Sequence, residues 1–297
     1  MNVLSLFDGM SCGQIALNRL GIHYDNYYAS EIKKLAIKVT LSNYPKTIHI
    51  GDVTKVSYKD GILTTENGVF NVGKIDLLIG GSPCQDFSLL KVNGKGLSGD
   101  KSKLFYEYLR LLKEINPTYF LLENVIMKKE SKSQLDEYLG VTGIAINSNL
   151  VSFQSRPRVY WSNIPNITIP KDKNISFQDF KEKNTKIESL YKVKNTPSRV
   201  KMWREGKGRN GALSGCANVT YADKVQCLTR KQDRSPNSGL VQFEDFCRYL
   251  TREELEQAQT VPVGYTKCVS YPQAQDLLGD GWTVDVICHI LKEMKLE

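Results

Sequence analysis

Short apolar runs that end in glycine or a polar residue, separated by helical patterns, most narrow the folds open to this chain. NVLSL (2–6), IDLLIGG (75–81) and TYFLLENV (118–125) are nearly continuous apolar stretches. That is the pattern of strands covered on both faces in a parallel sheet. Between them, helical spacing appears over 13–20 through Ile15, Leu17 and Leu20, and over 32–41 through Ile32, Leu35, Ala36 and Val39. An amphipathic helix over 104–115 is stopped by Asn116–Pro117. Further strands are predicted at 24–30, 47–50, 143–151 and 158–165, a hairpin over 60–73, and a helix near 130–139. The alternation predicts an α/β fold with a doubly wound, mostly parallel sheet.

After Pro165 the character changes. Residues 166–215 are rich in Lys and Asn, with glycines at 206, 208, 211 and 215 and weak periodicity. Helical patterning returns at 251–259, where Thr251 and Glu254 have capping-box spacing. A last helix is expected over 283–292. We therefore expect one domain over 1–165, a smaller irregular domain with a hinge over 166–260, and a return to the first domain over 261–297.

The charge follows the same division. Between Lys171 and Arg234 lie 16 basic and 7 acidic residues, against 24 and 25 in the rest of the chain. A localised excess of that kind is the footprint of a surface facing phosphates, although a solvated Lys-rich face has the same composition. The seven cysteines are scattered without a Cys-x-x-Cys pair, and the three histidines lack metal spacing to one another. This argues against a disulfide framework or a metal site and for a reduced, cytoplasmic protein. No signal peptide or run of ~18 apolar residues is visible, so no membrane association is expected.

Chemistry concentrates where the apolar runs stop. The first run opens into FDGMSCG (7–13), with Gly9 and Gly13 at a strand-to-helix turn. Glycine there lets the backbone approach a ligand, but the turn alone is a weak signal. Support comes from Glu31 after the second predicted strand and Asp52 after the third. Acids in those places can accept hydrogen bonds from ribose hydroxyls. With no second glycine-rich turn for a pyrophosphate, an adenosine-bearing cofactor without a diphosphate fits best. The run at 75–81 leads into SPCQDFS, which puts Cys84 in a polar loop at the carboxyl edge of the sheet. A structural cysteine would instead be expected within a strand or on a helix face. The next strand ends in Glu123-Asn124, and Glu123 there is partly desolvated and able to hold or give a proton. In QSRPR (154–158), Arg156 and Arg158 stand two apart in an extended segment, a spacing that aims both at one site.

In this order FDG with a following glycine, Glu31, Asp52, SPCQ, ENV and QxRxR resemble the motifs of the cytosine-5 DNA methyltransferases. RYLT at 248–251 with Glu254 and Gln259 is similar to that family's ninth motif, and GDGWTV (279–284) to its tenth. GGSPCxDxS, Leu104-Phe105 and Trp282 are closest to the de novo type, whereas the size is similar to bacterial or phage enzymes.

The resemblance implies a class I S-adenosylmethionine-dependent, Rossmann-like fold with a target-recognition domain in the basic stretch. It implies that Cys84 attacks carbon 6 of a flipped cytosine while Glu123 contacts the ring nitrogen and amine. Arg158 would contact the base oxygen, Arg156 would orient the site, and Asn124 would hold the loop. S-adenosyl-L-methionine would be bound by Phe7, Gly9, Gly13, Glu31, Ile32, Asp52, Val53, Pro83 and Leu104, with Asp280 and Gly281 closing the pocket, and would leave as S-adenosyl-L-homocysteine. Gln85 and Ser88 would approach double-stranded DNA, and Thr229 and Arg230 are candidate base readers by position. A monomer without a metal is expected, with a cognate restriction endonuclease as a candidate partner. The tenth motif usually carries Asn where Asp280 stands, so altered cofactor contacts are expected there. Methyltransferases acting on amino groups carry a Pro-Pro-aromatic loop, and RNA-directed relatives a Cys-Phe-Thr tripeptide; neither string occurs here.

Overall fold

The computed structural model describes residues 1–82, 103–194, 196–197, 217–230, 232 and 238–295. Contact density divides the chain into two compact units. The first comprises Met1–Ile146, Pro157–Ile169 and Val286–Glu297; the second comprises Asn147–Arg156 and Pro170–Asp285. The second unit thus takes in ten residues before the change of composition and runs past the return expected at 261.

The first unit is built on a seven-stranded sheet. Its strands are β1 (Asn2–Leu6), β2 (Asn26–Ser30), β3 (Ile48–His49), β7 (Leu77–Gly81), β8 (Tyr119–Val125), β9 (Ile144–Asn147) and β10 (Pro157–Ser162). They lie in the order β3-β2-β1-β7-β8-β10-β9. β1 pairs in parallel with both β2 and β7, and β7 with β8, whereas β10 runs antiparallel to β8. The expected doubly wound, mostly parallel sheet is the one observed. Its winding reverses between β1 and β7, the switch point at which open α/β sheets bind ligands beyond the carboxyl strand ends.

Helices α1 (Cys12–Arg19), α2 (Lys34–Asn43), α3 (Lys103–Ile115) and α4 (Lys129–Leu139) alternate with these strands. Leu4, Leu6, Leu78, Phe105, Tyr108, Leu122 and Trp161 are fully buried in one cluster. Each such side chain contributes roughly 1.5–3 kcal/mol relative to exposure. Gly13 lies in α1 where a Cβ would stand 2.3 Å from Ile79 Cδ1 and 2.7 Å from the Tyr27 hydroxyl. It therefore sets how closely the helix seats on the sheet.

Three expectations change. The strand predicted over 143–151 stops at Asn147, because the Asn147 side chain accepts from Asn149 N–H (3.2 Å) and turns the chain into the 3-10 segment Ser148–Leu150. The hairpin of β5 (Ile62–Thr65) and β6 (Gly68–Asn71) gains a third strand, β4 (Ser57–Lys59). A helix not predicted runs over Tyr271–Asp280. Its sequence signals are Pro272 in the first turn and Gln273, whose side chain accepts from Ser270 N–H at 3.0 Å.

The second unit contains a small antiparallel pair, β11 (Val241–Gln242) and β12 (Cys247–Arg248). Arg248 is 0% exposed. It donates to both carboxylate oxygens of Glu254 at 2.8 and 2.9 Å and lies 3.3 Å from Glu188. Glu254 also completes the capping box with Thr251 at the helix Arg252–Ala258. Gln154 donates to Ala258 O and Gln259 Oε1, both at 3.0 Å, and Gln259 donates to Leu278 O at 2.6 Å. Two motifs distant in sequence are thereby joined in one buried polar network. Arg248→Ala should strand two buried carboxylates and lower stability by about 3–5 kcal/mol in urea unfolding. An unchanged midpoint would show that this cluster does not hold the unit together.

Candidate active site and cofactor cradle

Three loops leave the carboxyl ends of β1, β2 and β3 side by side. In the first, Phe7, Gly9 and Ser11 all adopt left-handed backbone, with φ of 57°, 59° and 62°. For Phe7 and Ser11 this costs about 1–2 kcal/mol each. The conformation is held from beneath by Asp8. Tyr27 donates its hydroxyl to Asp8 Oδ1 at 2.8 Å, and Ser11 Oγ donates to Asp8 Oδ2. Gln14 in turn donates to Ser11 Oγ (2.9 Å) and Thr47 Oγ1 (2.7 Å).

Above this network Gly9 N–H donates to Glu31 Oε2 at 2.8 Å. Glu31 Oε1 accepts from the N–H groups of Ile32 and Lys33, both at 2.8 Å. Glu31 thus ties the first loop to the second. Open space lies where a Cβ on Gly9 would project, and the Ile32 side chain is 68% exposed. Asp52 accepts from Thr54 N–H at 2.9 Å, and its own N–H donates to Glu66 Oε1 at 2.7 Å. Val53 is buried, and Leu104 and Phe7 pack against the same core. A glycine facing open space, an exposed aliphatic side chain and two acids at adjacent strand ends fit an adenosine-bearing group.

The catalytic candidates lie across the switch point. Glu123 stands within β8, two residues before its end. It is 8% exposed and pairs in register with Gly81, three residues ahead of Cys84 in sequence. Its Oε1 lies 3.0 Å from Arg158 Nε. Arg158 also donates to Pro157 O at 2.8 Å. Asn124 Nδ2 donates to Ser82 Oγ at 3.0 Å and to Ser82 O at 3.3 Å, anchoring the start of the segment that carries the thiol. Pro83, Cys84, Gln85 and Ser88 lie outside the described residues.

The two arginines of QxRxR meet different groups among the described residues. Arg156 precedes β10, so strand alternation does not govern it. Its guanidinium donates to the carbonyls of Leu228 (3.2 Å), Gly279 (3.1 Å) and Gly281 (2.9 Å), with Cys227 Sγ at 3.2 Å. All four belong to the second unit, as does Arg156. It is a clamp on backbone, whereas Arg158 faces Glu123.

Arg230 grips Asp280 through two hydrogen bonds, at 3.1 and 2.7 Å. The Thr229–Arg230 peptide lies so close to Gly279 that a Cβ there would meet Thr229 C at 2.9 Å. A candidate base reader and a candidate cofactor residue are thus paired with each other. Arg230 compensates the charge that Asp brings to a position where the motif usually has Asn.

The family profile described as C-5 cytosine-specific DNA methylase matches residues 1–143. The orphan methyltransferase M.Rho11sI of Bacillus phage rho11s is 37% identical over 127 residues, 42% of this chain and 23% of the relative. The type II methyltransferase M1.ScrFI of Lactococcus lactis subsp. cremoris is 28% identical over 99% of this chain and 78% of its own length. Over residues 1–143 the chain is similar to the C-5 cytosine-specific DNA methylases. The phage matches span about a quarter of those relatives' own length. Among solved structures, the S. pombe Dnmt2 methyltransferase superposes with a TM-score of 0.73 at 20% identity, covering 98% of this chain and 97% of that one. This is the class I methyltransferase fold. The region matched by the family profile holds the β1 loop, Glu31, Asp52, Glu123 and Asn124, but neither arginine of QxRxR.

Sequence reasoning passed over Asp8, although it stands between an aromatic residue and a glycine at a strand end. Burial raises its carboxyl pKa from 3.8 to about 6, opposed by its hydrogen bonds to Ser11, Ser5 and Tyr27 and reinforced by Glu31. The folded chain therefore holds this proton more tightly than the unfolded chain. The associated stability is complete below pH ~4 and is lost as pH rises through about 6. Asp8→Asn, which cannot titrate, should gain on the parent between pH 4.5 and 7.5 by up to ~3 kcal/mol. A difference between the two that does not change with pH in denaturant titrations would contradict a raised Asp8 pKa.

Proposed function

We infer that the chain transfers a methyl group from S-adenosyl-L-methionine to carbon 5 of cytosine in double-stranded DNA, through a covalent bond between Cys84 and carbon 6. The observation that carries this reading is the Glu123–Arg158 pair, 3.0 Å apart, in register with the strand that leads to Cys84.

The Cys84 thiolate adds to carbon 6 and pushes electron density to carbon 5. Glu123 meets ring nitrogen 3 and the exocyclic amine, and Arg158 meets the carbonyl oxygen on carbon 2, so charge developing on the pyrimidine finds fixed partners. S-adenosyl-L-methionine, when bound, supplies an electrophilic methyl group. Loss of the carbon 5 proton to a base and elimination of the thiolate then free the methylated cytosine and the enzyme. The cytosine must leave the duplex, because a stacked base offers no approach to carbon 6.

Phe7, Gly9, Glu31, Ile32, Asp52 and Val53 would cradle the cofactor, with Pro83, Leu104, Asp280 and Gly281 as further contacts. Gln85, Ser88, Thr229 and Arg230 would approach DNA, and the basic stretch would supply phosphate contacts. No helix among the described residues is long and apolar enough to cross a membrane. The reading extends to a cytoplasmic monomer, with a cognate endonuclease as a candidate partner.

Cys84→Ser should lower tritiated-methyl transfer by at least about 10³-fold while calorimetry still detects cofactor binding. A serine variant as active as the parent would refute the covalent step. Glu123→Gln should lower kcat by about 10²–10³-fold with a smaller change in KM, as expected of a group that acts on developing charge. A change confined to KM would assign Glu123 to binding alone.

A further inference from the structure

The second unit carries an open cleft of about 530 Å³ whose lining residues have no part in the chemistry above. Its lining includes Tyr221, Phe243, Lys181, Asn218, Gln242 and Glu244. Tyr221 is 90% exposed, an unusual position for so large a ring. Lys181 Nζ stands 5.6 Å from the Tyr221 ring centroid and is held there by donating to Thr220 O at 2.8 Å. Phe243 is stacked on Phe246 with centroids 4.5 Å apart and planes 11° apart. Lys192 Nζ lies 4.3 Å from the centroid of Phe246. Asn218 donates to Gln242 Oε1 at 2.7 Å, which fixes that amide and leaves its NH2 end as a donor.

The lining selects among ligands. A phosphate would need a cluster of cations, whereas the cleft offers Lys181 against the carboxylates of Glu188 and Glu244. An amphipathic helix would need a continuous apolar floor, whereas amide, hydroxyl and carboxylate groups interrupt this one. A planar heterocycle needs aromatic faces and a few donors and acceptors for its edge, and those are present.

We propose that this cleft receives one unstacked nucleobase of the DNA, with its face on Tyr221 and its edge toward Gln242 and Glu244. The proposal rests on DNA being the substrate. A base still stacked in a duplex presents no face, so the ligand is a base freed when the helix is opened.

The test uses the full chain and a fluorescently labelled single strand of about eight nucleotides, within the site size of such modules. Tyr221→Ala should weaken binding roughly 5- to 150-fold in anisotropy titrations. Tyr221→Phe, which keeps the ring, should bind close to the parent. Because the side chain is exposed, both variants should melt with the parent, and the salt dependence of binding should keep its slope. Unchanged affinity in Tyr221→Ala would overturn the proposal, as would an equal loss in Tyr221→Phe. A flattened salt slope would assign the cleft to phosphate, and loss of a protein partner with DNA binding intact would assign it to protein; either result overturns the proposal. The assay does not depend on methyl transfer. An inactive parent with an intact Tyr221 effect would sink the reaction alone, and an active parent with no Tyr221 effect would sink the cleft alone.

Discussion

The contact between Glu123 and Arg158, 3.0 Å apart at the edge of the sheet, is the interaction on which the rest of the site depends. A carboxylate so nearly removed from water is costly to keep ionised without a partner. The partner comes from β10, the strand that runs against the direction of its neighbour. That reversal brings residue 158 opposite residue 125 and gives the end of β8 a cation without a further crossover. On the other side, β7 runs parallel to β8 and delivers the segment carrying Cys84 to the same edge. An acid and a cation are thereby set together at the end of β8, beside the strand that leads toward Cys84.

The cofactor side is organised by a different balance. Phe7 and Ser11, left-handed within a five-residue loop, store strain, and the hydrogen bonds around Asp8 and Glu31 hold it. Glu31 is occupied by three backbone N–H groups, so it works first as a strut between two loops. A ligand hydroxyl would meet an acceptor whose direction is already set, which lowers the entropy lost on binding. The buried Asp8 is less comfortable as an anion, and its raised pKa records that discomfort. In the second unit, Arg156 and Arg248 are both largely removed from solvent. One gathers carbonyls and the other carboxylates, so long-range order there comes from polar clamps as much as from apolar packing.

The legible parts were those governed by short-range pattern. The apolar runs at 2–6, 75–81 and 118–125 became the three central strands, because a segment buried on both faces must be apolar throughout. Thr251 and Glu254 made their capping box, because its bonds close within four residues. The helix at 271–280 had a comparable signal in Ser270, Pro272 and Gln273, hidden by a motif that overlaps its end. The strand expected to reach 151 ended early because one asparagine side chain competed with the sheet for backbone N–H groups. Arg156 and Arg158 seemed equivalent in an extended segment, but the strand begins between them.

The sequence by itself determined the inventory: which residues bear chemistry, where strands stop, and that the reactive types gather at those stops. These follow from local spacing and from the apolar character that a two-sided sheet demands. Tertiary structure alone decided the partnerships. Glu123 with Arg158, Glu31 with Gly9, Arg230 with Asp280 and Arg156 with the carbonyls of 279 and 281 join residues from 22 to 125 positions apart. No periodicity encodes such pairs, because the free energy of a buried charge depends on what the whole fold brings within hydrogen-bonding distance of it.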